Sequence, residues 1–244
     1  WLDEPRNFLF RFGDLKQMGI LQHADIDDKP AKSASSGTYD ENQLWCFTLK
    51  YEEEDVPCII LNENGAPTID AVELYEKGRP PIRAAVLTAD GKDCPFTNLF
   101  EETRDKKFRP KKYYIFTVLD LRGFKRKSGE EVAFSKKALL VKEHMMTKGF
   151  RKLLSKTREK QGTLRGSLWE VCRSADMQPS PAGCGDLWQF SEMVDLNEYT
   201  DEDTALLTEE QVMSLFVHDP EELKKLAAEW DTREDESGSD EPEY

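Results

Sequence analysis

Lys112-Tyr-Tyr-Ile-Phe-Thr-Val-Leu-Asp-Leu121 is the most strand-like run of the chain. It is dominated by aromatic and β-branched residues and contains neither glycine nor proline. Side chains alternate across a strand, so Tyr113, Ile115, Thr117 and Leu119 point one way and Tyr114, Phe116 and Val118 the other. Both sets are largely apolar. A strand that must be covered on both faces belongs in the middle of a barrel or closed sheet.

The residues on either side are basic. Lys106, Lys107, Arg109, Lys111 and Lys112 lead into the run; Arg122, Lys125, Arg126 and Lys127 follow it around Phe124, and Gly123 and Ser128-Gly129 mark a hairpin tip. The return strand is expected at Val132 to Phe134, continuing through Ala138 to Val141 and carrying Lys136 and Lys137 at its start. Phe150, Leu153, Leu154 and Thr157 fall at i, i+3, i+4 and i+7, which predicts a helix over 147–160 with one buried stripe and a basic remainder, stopped at Gly162. Two further strands, Ser167 to Arg173 and Leu187 to Val194, flank a Pro/Gly-rich loop over 174–186. The order strand, strand, helix, strand, strand suits an OB-type, five-stranded barrel plugged by its helix.

The first hundred residues read as a β-rich extension, or as strands completing the core. Phe8 to Phe12 is an early strand candidate and 29–42 a polar loop. Leu44 to Tyr51 and Val56 to Leu61 read as a hairpin, Asp70 to Glu76 as a short helix or turn, Ile82 to Leu87 as a strand, and Asp90 to Pro110 as an irregular connection. Downstream, Thr208-Glu-Glu-Gln211 is a capping box and Asp219-Pro-Glu-Glu222 places proline at a first helical position, so a helical pair is expected over 200–230. Residues 231–244 are acidic, have little to bury, and are expected to be disordered. The expected class is therefore mainly β (α+β): an extension at 1–100, a binding core at 101–195, a helical pair, and a tail.

Charge is distributed unevenly. The net value is −14, yet 101–173 holds 21 Lys/Arg against 9 Asp/Glu, a balance of +12, between an N-terminal −8 and a C-terminal −18. Cations track phosphates and aromatic faces stack on exposed bases, so a basic, aromatic centre in an acidic chain points to a nucleic acid. The five cysteines are odd in number and lack a C-x-x-C pair, which argues against a disulfide framework and suits a reducing compartment. No cofactor is expected; a zinc site from Cys46, Cys58, Cys94 and a histidine is the alternative. The absence of a long apolar run predicts a soluble, cytoplasmic protein without membrane contact.

Phe108-Arg-Pro-Lys-Lys-Tyr-Tyr-Ile-Phe-Thr-Val-Leu-Asp120, the basic helix, Gly166-Ser-Leu-Trp-Glu-Val-Cys-Arg173 and Gly185-Asp-Leu-Trp-Gln-Phe190 together resemble the single-stranded DNA-binding proteins of tailed bacteriophages. There a K-K/R-Y-Y-F-N-V-x-D type strand opens an OB-fold and a V-x-R … G … Y/W-x-F hairpin closes it. The resemblance covers about 106–195 plus the tail. It implies a role in phage DNA replication or recombination in the host cytoplasm, with an acidic tail, here Glu234, Asp235, Glu236, Asp240 and Glu241, recruiting replication or recombination proteins. Some members carry a Cys/His zinc cluster before the strand, of which only Cys94-Pro95 is matched here.

The expected activity is sequence-tolerant, non-enzymatic binding of single-stranded DNA. Phosphates would lie along Lys106, Lys107, Arg109, Lys111, Lys112, Arg122, Lys125, Arg126, Lys127, Lys136 and Lys137. Bases would stack on some of Trp45, Tyr113, Tyr114, Phe116, Phe124, Trp169 and Trp188, with Phe124 the best placed. Two other readings compete: an acidic interaction module or DNA mimic, and a metal-dependent nuclease using Asp120, Glu130 and Glu131 with Lys136.

Overall fold

A computed structural model describes residues 22–25, 44–49, 56–76, 81–87, 94–125, 130–172 and 187–231. The expectations for 8–12, 29–42, Arg126, Lys127, 174–186 and the acidic tail lie outside these residues. The described chain is α+β, with one open antiparallel sheet. Its strands are β1 (Gln22–Asp25), β2 (Val56–Ile60), β3 (Gly65–Leu74), β4 (Ile82–Ala85), β5 (Lys111–Asp120), β8 (Ser135–Lys142), β9 (Ser167–Cys172) and β10 (Leu187–Met193). A separate two-stranded hairpin joins β6 (Phe124–Lys125) to β7 (Glu131–Val132).

The hub is β5, the run singled out from sequence. Along one edge it pairs with β8 from Tyr113↔Lys142 to Asp120↔Ser135. Its other edge is shared: β3 pairs with Lys111 to Tyr114, and β2 with Val118 to Asp120. Between those two ladders eight steps of chain, Ile60 to Thr68, face four on β5, Val118 to Tyr114, so four residues are extruded. The extrusion is bound at its base, where the Leu61 N–H donates to the Thr117 carbonyl and the Thr117 N–H donates to Asn62 Oδ1 at 2.7 Å. Thus β2 and β3 act as one interrupted strand, and bulges of this kind let a strand bend from one sheet surface to another. Beyond β2 lie β9 and then β10; beyond β3 lie β1 and β4.

Residues 56–74 therefore complete the core instead of extending it. The segment read as a short helix at 70–76 is mostly strand, because Ile69, Ala71, Val72 and Leu74 are buried on both faces of the sheet. Residues 44–49 form no hairpin with β2. They run parallel to β8, where the Phe47 N–H donates to the Ala138 carbonyl and the Ala138 N–H to the Trp45 carbonyl. Within the supposed irregular stretch, Pro95 opens a helix, α1 (Pro95–Thr103), since a missing N–H costs nothing in the first turn.

One face of the sheet carries the largest apolar cluster. Val56, Cys58, Ile60, Tyr114, Phe116, Val118, Leu139, Val141, Trp169 and Val171 pack beneath Phe47, Leu49 and the helix α2 (Arg151–Gln161). Leu154 and Thr157 of the predicted stripe are buried, and Phe150 and Leu153 pack against the cluster. The helix starts later than its periodicity suggests, after a wide turn through Gly149, which sits at φ 124°. Gly162 caps it at φ 82°, its N–H donating to the Arg158 carbonyl.

The opposite face is covered by the C-terminal residues. The helices α3 (Asp201–Thr204), α4 (Glu209–Met213) and α5 (Pro220–Asp231) each begin at a side-chain cap: Thr200, Thr208 and Asp219. Val212, Met213 and Phe216 pack on Ile69, Ala71, Tyr113, Ile115 and Leu140 of this face, while Leu223, Ala227 and Trp230 join Val72 and Leu74, on the other side of β3, together with Phe96 and Phe108. Of the predicted pair, α4 lies on this face of the sheet and α5 packs against α1. Among the described residues, no helix is long and apolar enough to cross a membrane.

Candidate nucleic-acid interface

The predicted site residues separate into buried rings, paired cations and exposed cations. Tyr113, Tyr114, Phe116 and Trp169 are all but inaccessible. They cannot stack on a base in this conformation, which corrects the expectation that they would. Tyr113 meets Phe216 edge-on and Trp169 donates its indole N–H to Ser167 Oγ at 2.8 Å. Burial and the Glu73 charge push the Tyr113 hydroxyl well above its ordinary pKa. Trp188 is half-buried against Phe150, Trp169 and Phe47, closing the apolar cluster at the β10 end. Trp45 is half-buried beside β8, and Phe124 is half-buried on the short hairpin.

The cations do not form one track. A ten-residue strand is about 30 Å long, and β5 places the lead-in lysines at one end and the hairpin tip at the other. At the tip end, Asp120 is fully buried and both its oxygens are taken. Oδ2 accepts from Lys137 Nζ at 2.6 Å and from Arg122 Nη2 at 2.7 Å, and Oδ1 from Arg122 Nε at 2.9 Å. Burial pushes this carboxyl up, but the hydrogen bonds and charges of Arg122 and Lys137 outweigh it and hold it below the usual range. Arg122 also donates to the Thr48 carbonyl and lies over the Phe47 ring. Lys136 donates to the carbonyls of Glu202 and Ala205. Arg122, Lys136 and Lys137 thus hold the fold together, and Asp120 is committed to that task while Glu130 and Glu131 are exposed.

The lead-in end is different. Asp105 caps a 3-10 turn, Lys106–Phe108, by accepting the Lys107 N–H, and the turn lies against β3 with Phe108 buried beside Val72 and Leu74. That anchor holds Lys106 and Arg109 exposed on either side. The Lys107 ammonium is 3.0 Å from the Asp105 carboxylate. Lys111 and Lys112 are half-buried, Lys112 opposite Asp70, whose carboxyl is raised by burial against the pull of Lys112. Five cations thus lie within residues 106–112 at one end of β5, with Lys111 and Lys112 on opposite faces of the strand.

Sequence reading missed Tyr75 at this end. It follows β3 directly and is 41% exposed. Beneath it Glu73 is buried with Lys142 and Arg83, and the Tyr75 hydroxyl donates to Glu73 while accepting from Lys142 Nζ at 3.3 Å. The available signal was the alternation Ile69, Ala71, Glu73, Tyr75, which puts the ring on the Lys111 face once 65–74 is read as a strand.

Cys58, Cys46 and Cys94 lie in or against three different apolar clusters, so they do not converge on one ion. Burial, with the Asp120 charge adding to it, pushes the Cys58 thiol up. No family model, curated protein or solved structure matches the chain.

Proposed function

We propose that the protein binds single-stranded DNA without sequence preference, through an OB-type arrangement whose phosphate contacts lie at the lead-in end of β5. The observation that carries this reading is the concentration of Lys106, Lys107, Arg109, Lys111 and Lys112 at one end of β5 in a chain of net charge −14. Cations concentrated against the overall sign cost self-repulsion and are suited to a polyanion. The strand neighbours support the OB-type part: β8, β5, β2 with β3, β9 and β10 lie side by side, and α2 falls between β8 and β9 in the chain. In an OB arrangement the connection between the first two strands contributes to the ligand site; here it carries Lys106, Lys107 and Arg109, and Lys111 and Lys112 begin the strand that follows. The resemblance to phage single-stranded DNA-binding proteins, where the strand matching β5 opens the fold and is not its second strand, extends the proposal to replication or recombination, with the acidic tail recruiting partner proteins.

Competition experiments test the proposal. A labelled oligothymidine should be displaced by unlabelled single strands of any sequence and poorly by duplex. Displacement by duplex at equal concentration would overturn it.

A further inference from the structure

Among the described residues, the large apolar side chains that stand exposed are Tyr75, Leu187 and Leu206, and Tyr75 is the one aromatic. Its surroundings are unusual for a surface ring. The Lys111 ammonium lies 5.8 Å and the Lys142 ammonium 6.0 Å from its centroid, both within cation–π range. The hydroxyl is tied at two points, to the Glu73 carboxylate and the Lys142 ammonium. Glu73 in turn is wholly buried against Lys142 and Arg83. Burying three charged side chains costs more than an apolar replacement would, so such a cluster is weakly justified by stability alone. What this one accomplishes is to fix the orientation of a solvent-facing ring.

We infer that Tyr75 is a base-stacking platform, held by Glu73 and Lys142, on which a nucleobase of single-stranded DNA lies while Lys111 and its neighbours take the flanking phosphates. This rests on the single-stranded DNA reading above. A ring whose hydroxyl is anchored loses little freedom when a base replaces the Lys111 ammonium over it, which is the condition for stacking to add to affinity. Stacking on one aromatic side chain is sequence-tolerant because every base has a π-face.

The test uses the full chain and a fluorescein-labelled oligothymidine, followed by anisotropy at several salt concentrations. Y75A should weaken binding by about 5- to 150-fold, the range that loss of one stacked base produces, and should leave the slope of log K against log salt unchanged, because no phosphate contact is lost. Y75F, which keeps the ring, should stay within a few-fold of wild type. A second measurement is independent of any variant: ultraviolet crosslinking of the wild-type protein to an oligomer carrying iododeoxyuridine should place the crosslink on the peptide containing Tyr75. Wild-type binding with Y75A unaffected, or crosslinks confined to other peptides, overturns the platform and leaves the DNA reading intact. A wild-type protein that does not bind the oligomer at low salt, or prefers oligouridine, overturns both.

Discussion

Arg122 and Lys137 meet on a single oxygen, Asp120 Oδ2, at 2.7 and 2.6 Å. The two cations come from opposite sides of a strand pair, Arg122 just past β5 and Lys137 from β8. Their carboxylate sits at the last position of β5, opposite Cys58 and Ser135. The pair that resembled a phosphate contact in sequence is a clamp on the sheet.

The clamp has a pH signature. The folded-state pKa of Asp120 is depressed, so its stabilisation is fully present above the unfolded value of about 3.9 and is lost as pH falls toward the lower folded value. D120N should cost about 3 kcal/mol at neutral pH, since it leaves two cations without their buried partner. Urea unfolding from pH 6 to pH 3 should show the gap between wild type and D120N narrowing below pH 4. A constant gap would assign the loss to packing.

Phe116 separates core from platform. It is fully buried and meets Phe150 edge-on. F116A should lose about 3–5 kcal/mol in urea unfolding. F116L, which keeps most of the volume, should fold and bind oligothymidine as wild type does. A large binding defect in a stable F116L would return this ring to the ligand surface.

Gly166 sits at φ 86°, and a Cβ there would lie 2.9 Å from the Val194 carbonyl oxygen. Its own carbonyl accepts the Val194 N–H and its N–H donates to the Ile60 carbonyl, so it links β2, β9 and the chain after β10. G166A combines an unfavourable backbone conformation with a contact that must open. It should cost more than about 1 kcal/mol. Thermal unfolding measures this, and an unchanged midpoint would contradict it.

Lys106 opens the 3-10 turn, Arg109 follows it, and both are exposed. Each phosphate contact on a single strand contributes about 0.7 to the slope of log K against log salt. K106Q/R109Q should therefore lower that slope by about 1.4 without changing the urea midpoint. Salt titration of the double variant checks both halves of this statement.

Much of the frame was legible because it is local. The alternation in 112–121 identified the hub strand, the i, i+3, i+4, i+7 stripe gave α2, and the Thr208 and Asp219 caps gave two helices. What could not be read depends on distant partners. Residues 70–76 look weakly helical until Lys111 to Tyr114 pair with Thr68 to Ala71. The segment 44–49 has strand composition, but nothing local says that it will run parallel to β8. The site was half legible for the same reason. Lysine positions show in sequence, yet only the register reveals that Lys137 meets Asp120, and that Tyr75 stands over a buried Glu73 where Tyr113 is covered by Phe216.

The most direct measurement is the affinity for oligothymidine as a function of salt, set beside duplex DNA and single-stranded RNA of equal length. Tight binding of the DNA single strand at low salt, falling linearly in log salt with a slope of several units and exceeding the affinity for duplex at every concentration, is the predicted result. Absence of binding at low salt, or an affinity for duplex equal to that for the single strand, would contradict it.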